Sequence, residues 1–294
     1  MNMQGGSGYE HWQYLERTPV DPPRQIEVGD RGIFSAFVKS RDIHQSYQRL
    51  QQRGEKIVTP IQLEPDQAKS FHLKDPFGNV LRIKEFNSWY TKSGHDTGGV
   101  FGCLIGVSDI DRSLALYAGV LGYDKVLYDR SGQFEDLWEL PGGRRNFRRV
   151  LLTHSAQRVG GFSKLLGDSQ IELIQCLDES TPHIFANRYW GDTGFIHLCF
   201  DIRNMKKLTA ECAEKGFPFK VLSDGAFDMG DTQGHWGYLE DADGTLIEFV
   251  ETHKVPLLKS IGLGIDLTKR DPLKPLPNWM IKAMSLKRVR GGKK

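Results

Sequence analysis

The chain has 294 residues, of which 39% are hydrophobic and 26% are charged, as is typical of a globular protein with room for two ordinary domains. Its net charge of +2 conceals a basic end: residues 255–294 hold ten Lys and Arg against two Asp, which leaves about −6 on the rest. An acidic body disfavours a nucleic-acid-binding protein. No apolar run approaches the roughly 20 residues of a membrane span or forms a signal-peptide core, so we expect a cytoplasmic protein without a membrane partner.

Residues 1–19 predict the remnant last strand of a truncated module. The run Gly8–Tyr14 has the same form as the strand-like run Gln170–Gln175, yet neither a first strand nor a helix precedes it. Either the chain begins too late, or another chain covers an open sheet edge, which would be compatible with a homodimer. The prolines of residues 18–23 then predict a stiff linker.

Residues 29–90 predict the first complete module. A strand-like run, Gly32–Val38, is followed by a polar helix, His44–Arg53, which ends at Gly54. Two further strand-like runs flank the turn sequence Asp75–Gly78. The polar connection of residues 87–99 is the predicted boundary after this module.

The same order of elements recurs in residues 100–177 and in residues 194–252. The earlier copy has a predicted helix at Ile110–Leu121, strands at 134–141 and 144–153, and a last strand at Gln170–Gln175. In the later copy, His197 lies on the first strand, a helix covers 204–215, and Glu248 follows the turn Asp241–Gly244. Cys199 lies two residues from His197, so both side chains are expected on one face of that strand.

Alignment of the copies places particular side chains at equivalent positions. Aligning Gly32 with Gly194 puts Ser35 under His197, and aligning Gly78 with Gly244 puts Arg82 under Glu248. The module of residues 29–90 therefore lacks a histidine and a carboxylate at these two positions, so we expect it to have lost any metal site.

These repeated units resemble the vicinal oxygen chelate superfamily, which includes glyoxalase I, extradiol dioxygenases, methylmalonyl-CoA epimerase, and the fosfomycin and bleomycin resistance proteins. The resemblance covers about 30–252 and is carried by four runs: Asp75–Gly78, Val107–Leu114, Gly194–His197 and Asp241–Glu248. It implies an α+β fold of tandem βαβββ modules that form half-barrel sheets. It further implies a degenerate module at 29–90 and paired modules with a metal cavity at 100–252, after which the composition predicts a basic tail at 253–294.

In that family a divalent metal is held by residues of the first and last strands. Carried over, the ligands fall on Glu172, His197 and Glu248, while the fourth position falls on Gly102, which has no side chain. An imidazole and two carboxylates suit Fe²⁺, Mn²⁺, Co²⁺, Ni²⁺ or Zn²⁺ and leave coordination positions open. Glu172 or Glu248 is then expected to act as the catalytic proton-transfer base.

Four other residues are candidates for substrate binding. His154 and His235 could replace the missing ligand, and Trp236 could line the cavity with His235. Arg144 opens a basic cluster that could hold a carboxylate or a phosphate. For the basic cluster at Arg144, the competing interpretation is a solvated strand pair. His197 could likewise be a core histidine bonded to backbone, and Glu172 and Glu248 could face solvent from alternating strands.

The sequence therefore predicts a metal-dependent lyase or isomerase of glyoxalase or epimerase type, which acts on a small oxygenated substrate. The alternative is a non-catalytic protein that sequesters a hydrophobic or aromatic small molecule. An extradiol dioxygenase is disfavoured, because such enzymes use two histidines with one carboxylate and the first histidine falls on Gly102. A scaffold that uses the basic tail rests on composition alone.

Overall fold

A computed structural model describes residues 2–92, 94–223, 227–228, 233–258 and 263–287. These residues form two mixed β-sheets with short helices packed on them, an α+β architecture built from tandem βαβββ modules, as predicted. Within the described ranges, no helix is both long enough and apolar enough to cross a membrane.

The larger sheet contains the two complete modules of residues 32–176. The earlier module comprises β1 (Gly32–Ser40), α1 (Ile43–Gln52), β2 (Lys56–Ile57), β3 (Gln62–Leu63), β4 (Lys69–Lys74) and β5 (Val80–Glu85). The later one comprises β6 (Thr97–Gly106), α2 (Ile110–Tyr117), β7 (Lys125–Gly132), β8 (Phe147–Thr153), α3 (Ser163–Leu166) and β9 (Gln170–Cys176).

The first strands of these two modules join them into one sheet. β1 and β6 pair antiparallel, and the strand order is β2-β4-β5-β1-β6-β9-β8-β7 with β3 beside β4. The domain prediction paired the module at 100–177 with the module at 194–252. The structure differs because β6 already has β1 on one side and β9 on the other, so it has no free edge for a later strand.

The smaller sheet is formed by the module that contains His197. Its elements are β10 (His197–Asp201), α4 (Met205–Glu214), β11 (Val221–Leu222), β12 (Phe227–Asp228), β13 (Gln233–Glu240), β14 (Leu246–Leu258) and β15 (Leu263–Asp266). The order is β10-β14-β13-β11, and β12 and β15 pair with β13 and β14 respectively. β10 therefore lies at an edge of this sheet.

Local sequence explains the start of α2 and the 3₁₀ turn that follows β7. Asp109 accepts a hydrogen bond from the backbone N–H of Arg112 and begins α2, as expected of an N-cap. The predicted strand at 134–141 is wrong: residues 135–137 form a 3₁₀ turn. Phe134, Leu137 and Leu140 recur every third residue, which suits the i to i+3 hydrogen bonds observed there rather than an alternating strand.

The turn between β13 and β14 attaches the smaller sheet to the larger one. Asp241 Oδ1 accepts bonds from the backbone N–H groups of Asp243 and Thr245, while Oδ2 accepts a bond of 2.9 Å from the Tyr117 hydroxyl of α2. Gly244 closes the turn at φ 89°, a conformation that favours glycine. A single apolar core, which includes residues of α2, α4 and both sheets, continues beneath this turn.

The segment after β14 packs on the body as far as it is described. Ile281, in α5 (Asn278–Ala283), is buried in a cluster with Phe162, Leu165 and Leu276. The basic tail predicted at 253–294 therefore begins with β14 and β15, and its final residues, 288–294, lie outside the described ranges.

We expect Tyr117→Phe to reduce the free energy of unfolding by about 1 to 3 kcal/mol, because the buried Asp241 carboxylate would lose a hydrogen-bond donor. Urea unfolding would measure the change. Tyr47→Phe, at a partly buried tyrosine on α1, is the control and should differ from the wild type by less than about 0.5 kcal/mol. Equal stability of the Tyr117 variant and the wild type would contradict this role of the turn.

Candidate functional site: an open Glu-His-Glu cluster

The strand registers support the alignment of the three complete modules. In each module the first strand pairs with the last strand in the same register. The aligned residue of the first strand lies opposite a last-strand residue, and the aligned residue of the last strand comes two positions later. The opposed pairs are Ser35 with Val80, Gly102 with Gln170, and His197 with Leu246. The aligned last-strand residues are therefore Arg82, Glu172 and Glu248.

In the larger sheet, the last-strand residues of the two modules meet inside the protein. Arg82 Nη1 donates to Glu172 Oε2 at 2.5 Å, and Arg149 Nε donates to Glu172 Oε1 at 2.6 Å. All three side chains are fully buried. Tyr128 also donates to Glu172, at 2.5 Å, so every oxygen of this carboxylate has at least one donor.

Further charges complete this buried network. Glu64 accepts bonds from Lys84 at 2.6 Å and from Arg82 at 3.4 Å, and Asp136 accepts one from Arg149 at 2.7 Å. Burial opposes ionisation of Glu64, but the positive charges of Lys84 and Arg82 outweigh it and lower the pKa of Glu64 to about 2. Arg149 and Arg82 likewise hold the pKa of Glu172 below its usual value.

Glu172 is consequently separated from the other two predicted ligands. It belongs to the larger sheet, whereas His197 and Glu248 belong to the smaller one. Its oxygens are also occupied by two guanidinium groups and a phenol, so a permanent cation already balances its charge. This contradicts the predicted grouping of Glu172 with His197 and Glu248 around one metal.

Gly102 permits a close approach between strands. A Cβ atom there would lie 2.1 Å from the carbonyl oxygen of Gln170 and 2.9 Å from the Phe37 ring. Glycine is thus required for close packing at the point where the resemblance implies a ligand.

His197 and Glu248 lie together on the smaller sheet, as predicted, and the N-terminal segment adds a second carboxylate. His197 Nε2 is 3.1 Å from Glu248 Oε2 and 3.9 Å from Glu10 Oε2. Ligand atoms of all three residues lie within 4.8 Å of one another. Glu10 belongs to Gly8–Tyr14, the segment predicted to be a last strand, although it forms no strand here, and the sequence analysis did not identify Glu10 as a site residue.

The separations fit a shared cation. Two ligands bound at about 2.1 Å with a right angle at the metal would lie about 3 Å apart, close to the observed 3.1 Å between His197 and Glu248. The side chains of His197 and Glu248 are 9% and 10% exposed, whereas that of Glu10 is 49% exposed. His197 Nδ1 is buried and has no hydrogen-bond partner among the described atoms. One imidazole and two carboxylates, with one side open to solvent, therefore fit a divalent metal.

A second set of contacts orients Glu248. The Tyr238 hydroxyl donates to Glu248 Oε1 at 2.6 Å, while His197 contacts the other oxygen. Burial raises the pKa of Glu248, but the hydrogen bonds from His197 and Tyr238 outweigh burial, so the pKa is lowered. The lowered pKa favours the ionised form of Glu248, which a metal ligand requires; a metal bound at His197 Nε2 would replace the hydrogen bond from that nitrogen.

Aromatic rings surround this cluster. Trp190 lies 5.6 Å from the His197 ring and meets Tyr238 edge-on at 5.0 Å. Trp236 lies 5.7 Å from Tyr238 and shares its face of β13, so its role in lining the open side stays a prediction. The sequence identified Trp236 but not Tyr238.

The structure places the other three predicted substrate-binding residues elsewhere. His154 Nδ1 lies 2.5 Å from the carbonyl oxygen of Gly122, and its ring is 4.0 Å from that of Tyr123. His235 shares a β13 face with the core residue Leu239, opposite to Trp236. Arg144 stacks on Trp138, at 5.3 Å. None of these three joins the Glu10–His197–Glu248 cluster.

Comparisons with known proteins agree with the architecture. Two family models described as glyoxalase/bleomycin resistance protein/dioxygenase superfamily match residues 5–83 and 103–233, which together exceed half of the chain. No curated protein sequence matches significantly.

Solved structures with a similar fold include glyoxalase I from Zea mays, at 13% identity, a TM-score of 0.49, and coverage of 76% of this chain and 68% of that one. A putative dioxygenase from Bacillus subtilis matches at 15% identity and a TM-score of 0.47, over 78% of this chain and 64% of that one. A mutant 4-hydroxymandelate synthase from Streptomyces coelicolor matches at 14% identity and a TM-score of 0.40, over 76% and 64%.

Removing the charge of Glu172 should strongly destabilise the larger sheet. We expect Glu172→Gln to cost about 3 to 5 kcal/mol of unfolding free energy, because two buried guanidinium groups would lose their shared anion. Glu27→Gln is the matched control: Glu27 pairs with Arg145 where both side chains are partly exposed, and its loss should cost about 1 kcal/mol or less. Similar costs for the two variants, by urea unfolding, would refute the role of the buried network.

The same network predicts loss of stability in acid. The folded-state pKa of Glu64 lies below its unfolded value of 4.5, so its contribution is complete above pH 4.5 and is lost as the pH falls toward 2. Burial lowers the pKa of His72 from 6.5 to about 3, which adds a loss of stability between these pH values. Unfolding measured from pH 7 to 2 should show a shallower decline for Glu64→Gln than for the wild type. Equal slopes would contradict this assignment.

Proposed function

This chain belongs to the glyoxalase/bleomycin resistance protein/dioxygenase superfamily, and we propose that it is a metal-dependent lyase or isomerase. The observation that carries this proposal is the convergence of Glu10, His197 and Glu248, whose ligand atoms lie within 4.8 Å of one another beside the open side of the smaller sheet. Its substrate would be a small oxygenated molecule, and its location the cytoplasm.

These three residues would hold the metal. When bound, a divalent metal would supply a Lewis acid that stabilises negative charge on a substrate oxygen after removal of a neighbouring proton. Glu10 replaces Glu172 in the ligand set expected from the sequence.

The residues of the chain would divide the remaining tasks. Tyr238 fixes the orientation of Glu248 through its bond of 2.6 Å. Glu10 is the more exposed carboxylate and therefore the better placed of the two to exchange a proton with substrate. Trp190 and Trp236 would pack against an apolar part of the substrate and exclude water from one side of the cluster.

Metal analysis tests this proposal. Protein purified without chelator should contain about one divalent metal per chain, or should take up added Mn²⁺, Co²⁺, Ni²⁺, Fe²⁺ or Zn²⁺. Removing a group that only hydrogen-bonds to a metal ligand weakens metal binding about 10- to 100-fold. Because His197, Glu248 and Glu10 would bind the metal directly, His197→Ala, Glu248→Gln and Glu10→Gln should each weaken binding by at least about 100-fold. Glu240→Gln is the control, because Glu240 lies on the same sheet but pairs with Lys220 at 3.6 Å.

A wild-type protein that takes up none of these metals would refute the proposal. Metal uptake unaffected by all three ligand substitutions would refute the assigned site. If metal binds as expected, 2-oxo aldehydes, acyl-CoA thioesters and catechols are the substrates to screen.

The aromatic rings favour a second candidate function, the non-catalytic binding of an aromatic small molecule. Trp190 and Trp236 would report such binding by fluorescence quenching in the absence of metal, with Trp190→Leu as the comparison. Metal-independent binding without turnover would favour this function over the first.

A further inference from the structure

One cysteine of the chain lies outside the apolar cores. Cys103 and Cys212 belong to the core cluster that both sheets share, and Cys176 belongs to a core cluster of the larger sheet. Cys199 is the exposed one of the four cysteines. A buried thiol packs as a small apolar group, but this role does not apply to an exposed one. The position of Cys199 therefore requires another explanation.

That position directs the side chain of Cys199 toward the Glu10–His197–Glu248 cluster. Cys199 follows His197 by two residues on β10, so the two side chains point to the same face of the strand. Its backbone lies directly opposite that of Glu248 on β14. The Cys199 thiol donates a hydrogen bond to the Glu248 carboxylate. The thiol is thus already in contact with one of the three proposed metal ligands.

We propose that Cys199 is a fourth ligand of the metal, an inference that rests on the proposed function. A sulfur atom bound at about 2.3 Å and a carboxylate oxygen bound at about 2.1 Å, with a right angle at the metal, would lie about 3.1 Å apart. Atoms that share a hydrogen bond are already neighbours at a comparable separation. A metal can therefore replace the proton between Cys199 and Glu248 without a shift of the two strands.

Two local changes would accompany binding. The thiol is not among the ligand atoms that lie within 4.8 Å of one another, so it would turn about its Cα–Cβ bond toward the metal. The sulfur–hydrogen bond would break as the metal–sulfur bond forms, and the proton would leave to solvent, because a thiol that coordinates a metal is deprotonated. No oxidant or reductant takes part.

A sulfur ligand would decide which metal the site prefers. Glu10, His197 and Glu248 supply only oxygen and nitrogen atoms, which suit Mn²⁺ and Zn²⁺ alike. Thiolate sulfur is a soft ligand, which favours Zn²⁺ and disfavours Mn²⁺. With Cys199 bound, the site would therefore select Zn²⁺, or Co²⁺ in its place, over Mn²⁺.

The fourth ligand would also release Glu10 for chemistry. A zinc site that acts on a substrate keeps a position open, usually beside three protein ligands. Cys199, His197 and Glu248 would supply those three, all from the smaller sheet. Glu10, whose side chain is 49% exposed, could then leave the metal when substrate binds and exchange a proton with it.

Cobalt spectroscopy tests the inference without reference to activity. The chain loaded with Co²⁺ should show a sulfur-to-cobalt charge-transfer band in the near ultraviolet, which oxygen and nitrogen ligands do not produce. Cys199→Ser should abolish this band and keep the visible bands of bound Co²⁺, because the hydroxyl preserves the hydrogen bond to Glu248 and removes only the sulfur. Cys176→Ser is the matched control and should keep both sets of bands.

Metal competition against an indicator dye gives the second readout. Cys199→Ser should weaken Zn²⁺ binding by at least about 100-fold, since it removes a direct ligand. Its Mn²⁺ affinity should change by less than about threefold, because this hard ion gains little from sulfur. The ratio of the two affinities separates a metal ligand from a thiol that only positions Glu248.

The outcomes distinguish this inference from the proposed function. Bound Co²⁺ without the charge-transfer band, or with a band that survives Cys199→Ser, would overturn the inference and leave the Glu10–His197–Glu248 site standing. Equal loss of Zn²⁺ and Mn²⁺ affinity in Cys199→Ser would do the same. A sulfur band in a protein that turns over no substrate would support Cys199 as a ligand and contradict the proposed catalysis. A chain that takes up neither metal would refute both.

Discussion

The buried carboxylate of Glu172 and its two guanidinium partners set the constraint on which this structure depends. An ion removed from water is tolerated only when opposite charges and hydrogen bonds replace its hydration, and Glu172 receives both from Arg82 and Arg149. Arg82 comes from one module and Glu172 from the next, so this ion pair forms only when the two modules close on each other. Their first strands, β1 and β6, then lie side by side and seal the pair.

This closure divides the chain into parts with different roles. In the closed pair, Arg82 occupies the position equivalent to Glu248 of the remaining complete module. The positive charge of Arg82 neutralises Glu172, as a bound cation would. The interior is consequently filled with fully buried charged groups. The smaller sheet has the opposite arrangement: His197 and Glu248 are joined by Glu10 of the N-terminal segment, and this cluster of two carboxylates and an imidazole contains no permanent cation. The proposed binding site therefore belongs to the module of the smaller sheet.

The smaller sheet contacts the larger one through the side that does not carry His197 and Glu248. Contact with the larger sheet runs through α2, α4 and the turn at Asp241, all on the side of the sheet opposite His197. The side that carries His197, Glu248 and Tyr238 is left to Glu10, the neighbouring aromatic rings and solvent. A shared apolar core thus fixes the sheet in place without covering its donor atoms.

The sequence by itself determined the module pattern, the equivalence of Ser35, Gly102 and His197, and the proximity of His197 to Glu248. These depend on turns, strand periodicity and spacing within one module, all of which are local. Only the tertiary structure decided which modules pair, because the three first strands look alike in sequence and a strand edge accepts any suitable neighbour. That choice moved Glu172 into a salt-bridge network and brought Glu10 to His197 in its place. Glu10 and His197 are 187 positions apart, so their contact depends on how distant segments of the chain pack. Local sequence patterns do not encode that packing.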